Sequence, residues 1–252
     1  MSIQENNKQH YEQAYTFKSN LGFKIYRRFS FDQQSKYKIN QFNLKKVLNN
    51  RLDYLSVLEV GCGLGLNLSF FPKNSRIYGI DLAFQSVYSC NRYFKGSRSS
   101  GFGFCVANCA VGLPFKQCFD VIICSHVLEH VLNDQKLIFE FHGVLKPNGS
   151  LLINIPINEK YPDPKHFHAY TKKSIEQLLE DNKFHIIFSD QYDKWSLFFA
   201  RMANWEIPLL YIPYKSLRAI LAIFPLKLSE KLADYILKDY PNQQNLVCCR
   251  KK

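Results

Sequence analysis

The run Ser56-Val57-Leu58-Glu59-Val60-Gly61-Cys62-Gly63-Leu64-Gly65 decides the fold. Ser56–Val60 is a short β-type stretch, and three alternating glycines punctuate its end. Glycine lets a backbone turn sharply and approach a ligand where a Cβ would collide. At a strand-to-helix junction, exposed N–H groups and the helix dipole favour anionic or polar ligand groups. Taken alone, such a string is also read as a plain tight turn. The dinucleotide fingerprint requires G-x-G-x-x-G. Here Gly65 arrives one residue early and Leu66 holds the dinucleotide position, which argues against NAD.

The second strand, Arg76-Ile77-Tyr78-Gly79-Ile80-Asp81, places a carboxylate 20 residues after Gly61. Asp81 at that strand end suits both hydroxyls of a ribose, the alternative being an ordinary helix cap. A helical stretch follows from Phe84 to Tyr93. Phe102–Val106 reads as a third strand and Phe119–Cys124 as a fourth, apolar enough for burial on both faces. The segment Asn133–Val144 reads as a helix, Lys146-Pro147-Asn148-Gly149 as a turn, and Ser150–Ile155 as a fifth strand. Thr171, with Ser174 and Glu176 after it, opens a further helix in a capping-box pattern. His185–Phe188 and Asn245–Cys249 supply strands six and seven.

This alternation predicts an α/β protein with a Rossmann-like, mostly parallel seven-stranded sheet and helices on both faces. One domain is expected over 1–252, with 1–50 a helical lid region and 55–190 the cofactor-binding core. The stretch 195–241 is read as a substrate-side helical insertion, too long for a bare loop, and 244–250 as the last strand.

Composition sets the outer bounds. A chain of 252 residues, 46% hydrophobic and 21% charged, can bury a substantial core, which excludes disorder throughout. The eight cysteines lack paired zinc spacings, and a reduced protein is the simplest reading. The polar start and the absence of a run of about 20 apolar residues lead to an expected cytoplasmic location. The formal charge of +12 leaves nucleic acid or an anionic membrane surface open, besides a plainly solvated lysine-rich exterior.

Several strings, in order and spacing, resemble the class I S-adenosylmethionine-dependent methyltransferase superfamily of the small-molecule type. Glu59–Gly65 is similar to its first motif and Gly79-Ile80-Asp81-Leu82 to its second. Leu113-Pro114-Phe115, Phe119-Asp120-Val121-Ile122, Val127-Leu128-Glu129-His130-Val131 and Leu145–Leu152 resemble the stretches that follow. His166-Phe167-His168-Ala169-Tyr170-Thr171 also resembles these enzymes, so that residues 55–190 are covered. The resemblance implies S-adenosyl-L-methionine as cofactor, held by Glu59, Gly61, Cys62, Gly63, Gly65, Asp81, Leu82 and Ser125. Four positions before Leu113 the family commonly has an acidic residue for the adenine amino group. Cys109 stands there, beside Asn108, whose side-chain carbonyl can accept the same hydrogen bond.

The methyl group on a sulfonium is already activated, so alignment and exclusion of water are the main tasks. A base is needed when the acceptor must lose a proton. His126 and His130 follow strand four at the carboxyl edge, where ligands bind in open α/β sheets, and are the catalytic candidates, structural hydrogen bonding being the alternative. His166, His168 and Tyr170 after strand five either contact the acceptor or brace the next helix. Tyr11 and Tyr15 are candidate lid residues or a packed helix face. Trp205 and Tyr211 belong to an aromatic insertion suited to a bulky apolar or aromatic acceptor, a helical cap or a dimer contact. No metal is expected, because the histidines lack a matching carboxylate cluster.

The favoured function is methyl transfer to a small-molecule acceptor at oxygen, with a membrane-surface quinone or lipid as a variant. The rivals are an RNA methyltransferase, motivated by the charge, and a non-catalytic cofactor-binding partner. No Asn-Pro-Pro-Tyr string or appended RNA-binding module supports the first of these. The acceptor's identity and the oligomeric state are left open. Asp81→Ala should weaken cofactor binding by about 1–3 kcal/mol, the cost of unmatched polar partners; unchanged calorimetric affinity in a folded variant would sink the ribose assignment.

Overall fold

A computed structural model of the chain describes residues 9–10, 12–14, 16, 20–98, 101–159, 163–203 and 211–251. Two helices, α1 (Asn20–Phe29) and α2 (Phe31–Val47), precede β1 (Ser56–Val60). The core continues as β2 (Arg76–Asp81), α3 (Phe84–Lys95), β3 (Phe102–Val106), β4 (Phe119–Ser125), α4 (Asp134–Val144) and β5 (Leu145–Pro156). It closes with α5 (Lys172–Asp181), β6 (Phe184–Tyr192), α6 (Trp195–Ala203), α7 (Tyr211–Ile223), α8 (Leu226–Ile236) and β7 (Gln244–Lys251). The expected strands are all present, most of them longer by one to several residues, since sheet pairing carries each beyond its apolar run. The capping box at Thr171 forms with Ser174 as its reciprocal partner.

The seven strands lie in the order β3-β2-β1-β4-β5-β7-β6. All pairs are parallel except those made by β7, which runs antiparallel to both β5 and β6. The chain leaves β1 in one direction to build β2 and β3 and in the other to build β4, so a crevice opens between the carboxyl ends of β1 and β4.

Alternation along the strands divides the core in two. Leu58, Val60, Ile122, Cys124, Leu151 and Ile153 face α4 and α5, whose Leu137, Phe141, Ile175 and Leu179 are fully buried. Val57, Val121, Ile123 and Leu152 face α2 and α3, packing with Ile39, Leu44, Cys90 and Phe94. Near the carboxyl edge this second face changes character. The next residues in the same alternation are Glu59 in β1, Ser125 in β4, Asn154 in β5 and Gln244 in β7.

Those polar ends meet Asn40 of α2, which is fully buried. Asn40 Nδ2 donates to Ser125 Oγ (3.1 Å) and to Asn67 Oδ1 (3.2 Å), while Asn40 Oδ1 accepts from Asn154 Nδ2 at 3.0 Å. Asn67 donates on to Glu59, and Asn154 to Gln244. Gln244 in turn donates to the buried Asp193, which also takes the backbone N–H and hydroxyl of Ser196 at the start of α6. One hydrogen-bonded seam therefore ties α2 across four adjacent strands.

The outer side of α2 is held by the insertion. Phe31 packs with Trp195, Phe199, Leu221, Ala222, Ala233 and Leu237 in a third, separate cluster. Lys38 of α2 donates to the carbonyls of Leu221 and Phe224, closing the end of α7 onto it.

Asn40→Leu keeps the bulk but removes every polar contact of that side chain. It should lower the unfolding free energy by about 2–3 kcal/mol through unmatched buried partners, read from urea unfolding. A loss below about 0.5 kcal/mol, the level of an ordinary surface substitution, would show that the seam does not hold α2.

Candidate active site

The turn after β1 is held by backbone. Gly61 and Cys62 both donate to Ile80 O (2.9 and 3.0 Å), and Gly65 donates to Cys62 O at 2.7 Å. All three glycines have positive φ: +70° at Gly61, +46° at Gly63 and +62° at Gly65. A Cβ on Gly61 would lie 2.2 Å from Val127 Cγ2, so no side chain fits where the post-β4 segment crosses. Gly65 serves a different purpose. Its missing Cβ admits Phe94 and Cys90 of α3, and it does not line the cleft.

A cleft of about 320 Å³ runs from this turn along the carboxyl edge. Its first half is lined by Glu59, Gly61, Cys62, Gly63, Asn67, Asp81, Leu82, Asn108, Cys109 and Ser125. Asp81 accepts from Gly63 N (2.8 Å) and Ala83 N (2.9 Å). Burial raises its pKa, opposed by those two N–H groups. The Asn108 carbonyl oxygen expected at the adenine already accepts from Ala110 N at 3.0 Å, leaving its second lone pair for a ligand. Burial pushes the Cys109 thiol up to about 12, so it is a neutral wall.

Glu59 carries the most pointed chemistry of this half. It is 3% exposed; Oε1 accepts from Asn67 at 2.6 Å, while Oε2 is buried with no hydrogen-bond partner among the described residues. Burial pushes its pKa up to about 8. A buried carboxylate oxygen without a donor is costly, and a ligand ammonium beside the glycine turn would supply the donor and the opposite charge. S-adenosylmethionine has such a group on its amino-acid end, and the residues present fit it.

The second half of the cleft is polar. Gln33, Lys36 and Tyr37 of α2 face His126, Glu129, His130, Asp163 and His166. Both post-β4 histidines line it, but not on a shared helix face. His126 sits at φ +55°, and a 3₁₀ turn over Leu128–His130 follows. The His126 ring nitrogens face Gln244 Oε1 (Nε2, 3.4 Å) and Glu129 Oε1 (Nδ1, 3.5 Å). Burial holds its pKa well below the ordinary imidazole range, and that of His130 down to about 4. Phe167 N–H donates to Glu129 O at 2.8 Å and so brings His166 beside His130, ring centroids 4.7 Å apart. Burial lowers the Lys36 pKa, countered by the charge of Glu129.

Two expected acceptor residues are elsewhere. His168 Nε2 bonds the Val131 and Leu132 carbonyls (3.0 and 3.2 Å), and the Tyr170 hydroxyl donates to Asp134 Oδ2 at 2.7 Å. Both brace the turn into α5, and neither lines the cleft. Tyr11, Tyr15 and Trp205 lie outside the described residues, as does the side chain of Tyr211, whose backbone opens α7. Among the described residues of 195–241 none lines the cleft; they back α2 instead. The N-terminal segment does reach the cofactor edge, since Glu12 accepts from the N–H groups of Phe84 and Gln85 at the start of α3. Gln33, Lys36, Tyr37, Asn67 and Asp163 are the polar lining residues that sequence reasoning missed. Glu129 was seen only as part of a motif.

Residues 58–153 match the methyltransferase domain family. This stretch is set in a fold of the kind such domains have. The chain's fold matches magnesium protoporphyrin IX methyltransferase from Synechocystis PCC 6803 with bound SAH, at a TM-score of 0.62 and 14% identity, over 99% of this chain and 100% of that one. Among curated proteins it is similar to phosphoethanolamine N-methyltransferase 1 of Triticum aestivum, 28% identical over 169 residues, 61% of this chain and 34% of that protein. It is also similar to the ubiquinone biosynthesis O-methyltransferase of Rickettsia felis, 28% identical over 127 residues, 47% of this chain and 50% of that protein. The chain thus spans a third to a half of these two relatives.

Cofactor binding to the methyltransferase domain should release protons near neutral pH. Below about 8 the Glu59 carboxyl is largely protonated, and a cation placed against it favours the carboxylate. Calorimetry in two buffers of different ionisation enthalpy should read a release that fades as pH rises through about 8 and is lost in Glu59→Gln. Release of the same size in that variant would place the ammonium elsewhere.

Proposed function

We propose that the protein transfers a methyl group from S-adenosylmethionine to the oxygen of a polar, hydroxyl-bearing small molecule. The observation that carries this reading is the continuity of the cleft from the Gly61–Gly63 turn to the imidazoles beneath α2. When bound, the cofactor supplies a methyl on sulfur; the acceptor oxygen takes that carbon as the carbon–sulfur bond breaks and its electron pair stays on sulfur. The first half of the cleft anchors: Glu59 takes the ammonium, Asp81 the ribose, and Asn108 with Cys109 border the adenine. The second half positions the acceptor and handles its proton.

His126 is the proposed base. It stands at the end of β4 on the cleft wall, its ring set between Gln244 and the Glu129 carboxylate, and burial holds it in the neutral form. Lys36 and Tyr37 roof the same chamber and keep water out as α2 packs down. This lining favours a polar acceptor over the bulky apolar one that the aromatic insertion suggested. A relative named for O-methylation supports oxygen, whereas another is named for N-methylation, so the acceptor atom is the part to test. Among the described residues no helix is long and apolar enough to cross a membrane.

Incubation with methyl-labelled cofactor and a panel of phenols, aliphatic alcohols, thiols and amines should put label on hydroxyl acceptors. His126→Asn should then cut turnover about 10²–10⁴-fold, the usual worth of a general base, with cofactor affinity within about twofold. Label only on nitrogen or sulfur, or an undiminished rate in His126→Asn, would overturn the oxygen reading.

A further inference from the structure

The Glu129, His130 and His166 side chains each offer one donor atom, and these atoms lie within 4.8 Å of one another. Glu129 is fully buried, and neither carboxylate oxygen has a hydrogen-bond partner among the described residues, His126 Nδ1 standing 3.5 Å from Oε1 as an ion-pair contact. Lys36 lends this carboxylate opposite charge, yet a buried carboxylate without a hydrogen-bond donor still has a place for a proton or a directly bound cation.

The two imidazoles are set as metal-binding imidazoles usually are. A ligating histidine binds through one nitrogen and gives its other N–H to a carbonyl or carboxylate, which fixes the ring and its tautomer. His130 Nδ1 lies 3.1 Å from the Lys165 carbonyl oxygen, and His166 Nδ1 lies 2.9 Å from Glu159 Oε2. Each ring thus has an acceptor for Nδ1–H, which would make Nε2 the ligating nitrogen. A first-row divalent ion holds imidazole nitrogen and carboxylate oxygen at about 2.0–2.2 Å, so the three donor atoms would draw together around it. The carboxylate that the sequence did not place beside the histidines is Glu129.

We propose that Glu129, His130 and His166 form a binding site for a divalent first-row transition metal ion, on the acceptor side of the cleft. Two imidazoles and one carboxylate suit zinc, iron(II), cobalt(II) or manganese(II) better than magnesium, which prefers an all-oxygen shell. Three protein ligands leave coordination positions open, and all three side chains line the cleft. If methyl transfer is the activity, as proposed above, those positions face the acceptor's hydroxyl oxygen. The acceptor class narrows to molecules with a coordinating oxygen, a vicinal diol or catechol-like pair being the best match. Glu159 is a positioning residue that orients His166.

The test is cobalt(II) titration of untagged protein, followed by calorimetry and by visible absorption, with magnesium(II) as the contrast. Wild type should take up one cobalt ion, with d–d bands of a low-symmetry nitrogen and oxygen site, and bind magnesium at least about a hundredfold more weakly. Glu129→Gln and His166→Asn should each weaken cobalt at least tenfold, and Glu159→Gln should weaken it less while shifting the bands. Cofactor affinity, measured alongside, reports that each variant is folded. Absence of cobalt uptake by wild type, or equal uptake by Glu129→Gln and His166→Asn variants that still bind cofactor, would overturn the site. A metal-binding protein that labels no hydroxyl acceptor would leave the site standing and refute the oxygen reading instead.

Discussion

Asn40 is the point on which the arrangement turns. An amide has donors and an acceptor in one plane, and this one uses both kinds at once, toward β4, β5 and the loop after β1. Four neighbouring strands end on the α2 face in polar residues, which would be expensive in a dry core if left unmatched. Because α2 supplies the partner, the helix is fixed in rotation and height above the carboxyl edge. Its next exposed-inward positions, Gln33, Lys36 and Tyr37, become the roof of the cleft. Glu59 belongs to the same seam through Asn67, so the buried carboxylate at the glycine turn and the α2 roof over the second half of the cleft share one set of hydrogen bonds.

The two halves of the cleft follow different rules. Around the glycine turn, backbone groups and fixed geometry dominate: positive φ at three glycines, N–H groups donated to Asp81, and a missing Cβ that admits Val127. Around His126, side chains with adjustable protonation dominate, and burial moves almost all of them. The His126 and His130 imidazoles are driven neutral and the Glu129 carboxyl up to about 7. His166 and Asp163 are exceptions: burial alone would lower His166 but the Glu159 carboxylate raises it, and burial alone would raise Asp163 but Lys165 lowers it. Such divergence among neighbouring groups is typical of sites that handle protons or ions.

Strands and glycine turn were legible in the sequence because burial on two faces demands near-continuous apolar runs, and β1, β4 and β5 are such runs. A helical region was legible over 1–50, but the face that α2 turns inward was not. Its inward face carries Gln34, Asn40 and Asn43, so no apolar stripe marks it. The meeting of His130 with His166 was also hidden, since 36 residues and the whole of β5 separate them. They meet because β4 and β5 are neighbours and the loops after both return over the same edge. Within His166–Tyr170 the sequence could not say which ring turns inward. The carbonyls of Val131 and Leu132 and the carboxylate of Asp134 draw His168 and Tyr170 the other way. At His126 and His130 a left-handed residue and a 3₁₀ turn stand where a regular helix would have aligned the two rings.

The insertion touches the outer side of α2 and, within its described residues, leaves the cleft alone. This separation gives the fold a remote adjustment. A change in the volume of Phe199 or Leu221, or in the carbonyls that hold Lys38, would shift the pressure on Phe31 and tip α2 about the fixed point at Asn40. The end of the helix bearing Lys36 would move over the acceptor while the glycine turn stayed in place. Variation in a part of the chain outside the matched methyltransferase domain can thus reshape the second half of the cleft, with no residue of the cleft being replaced.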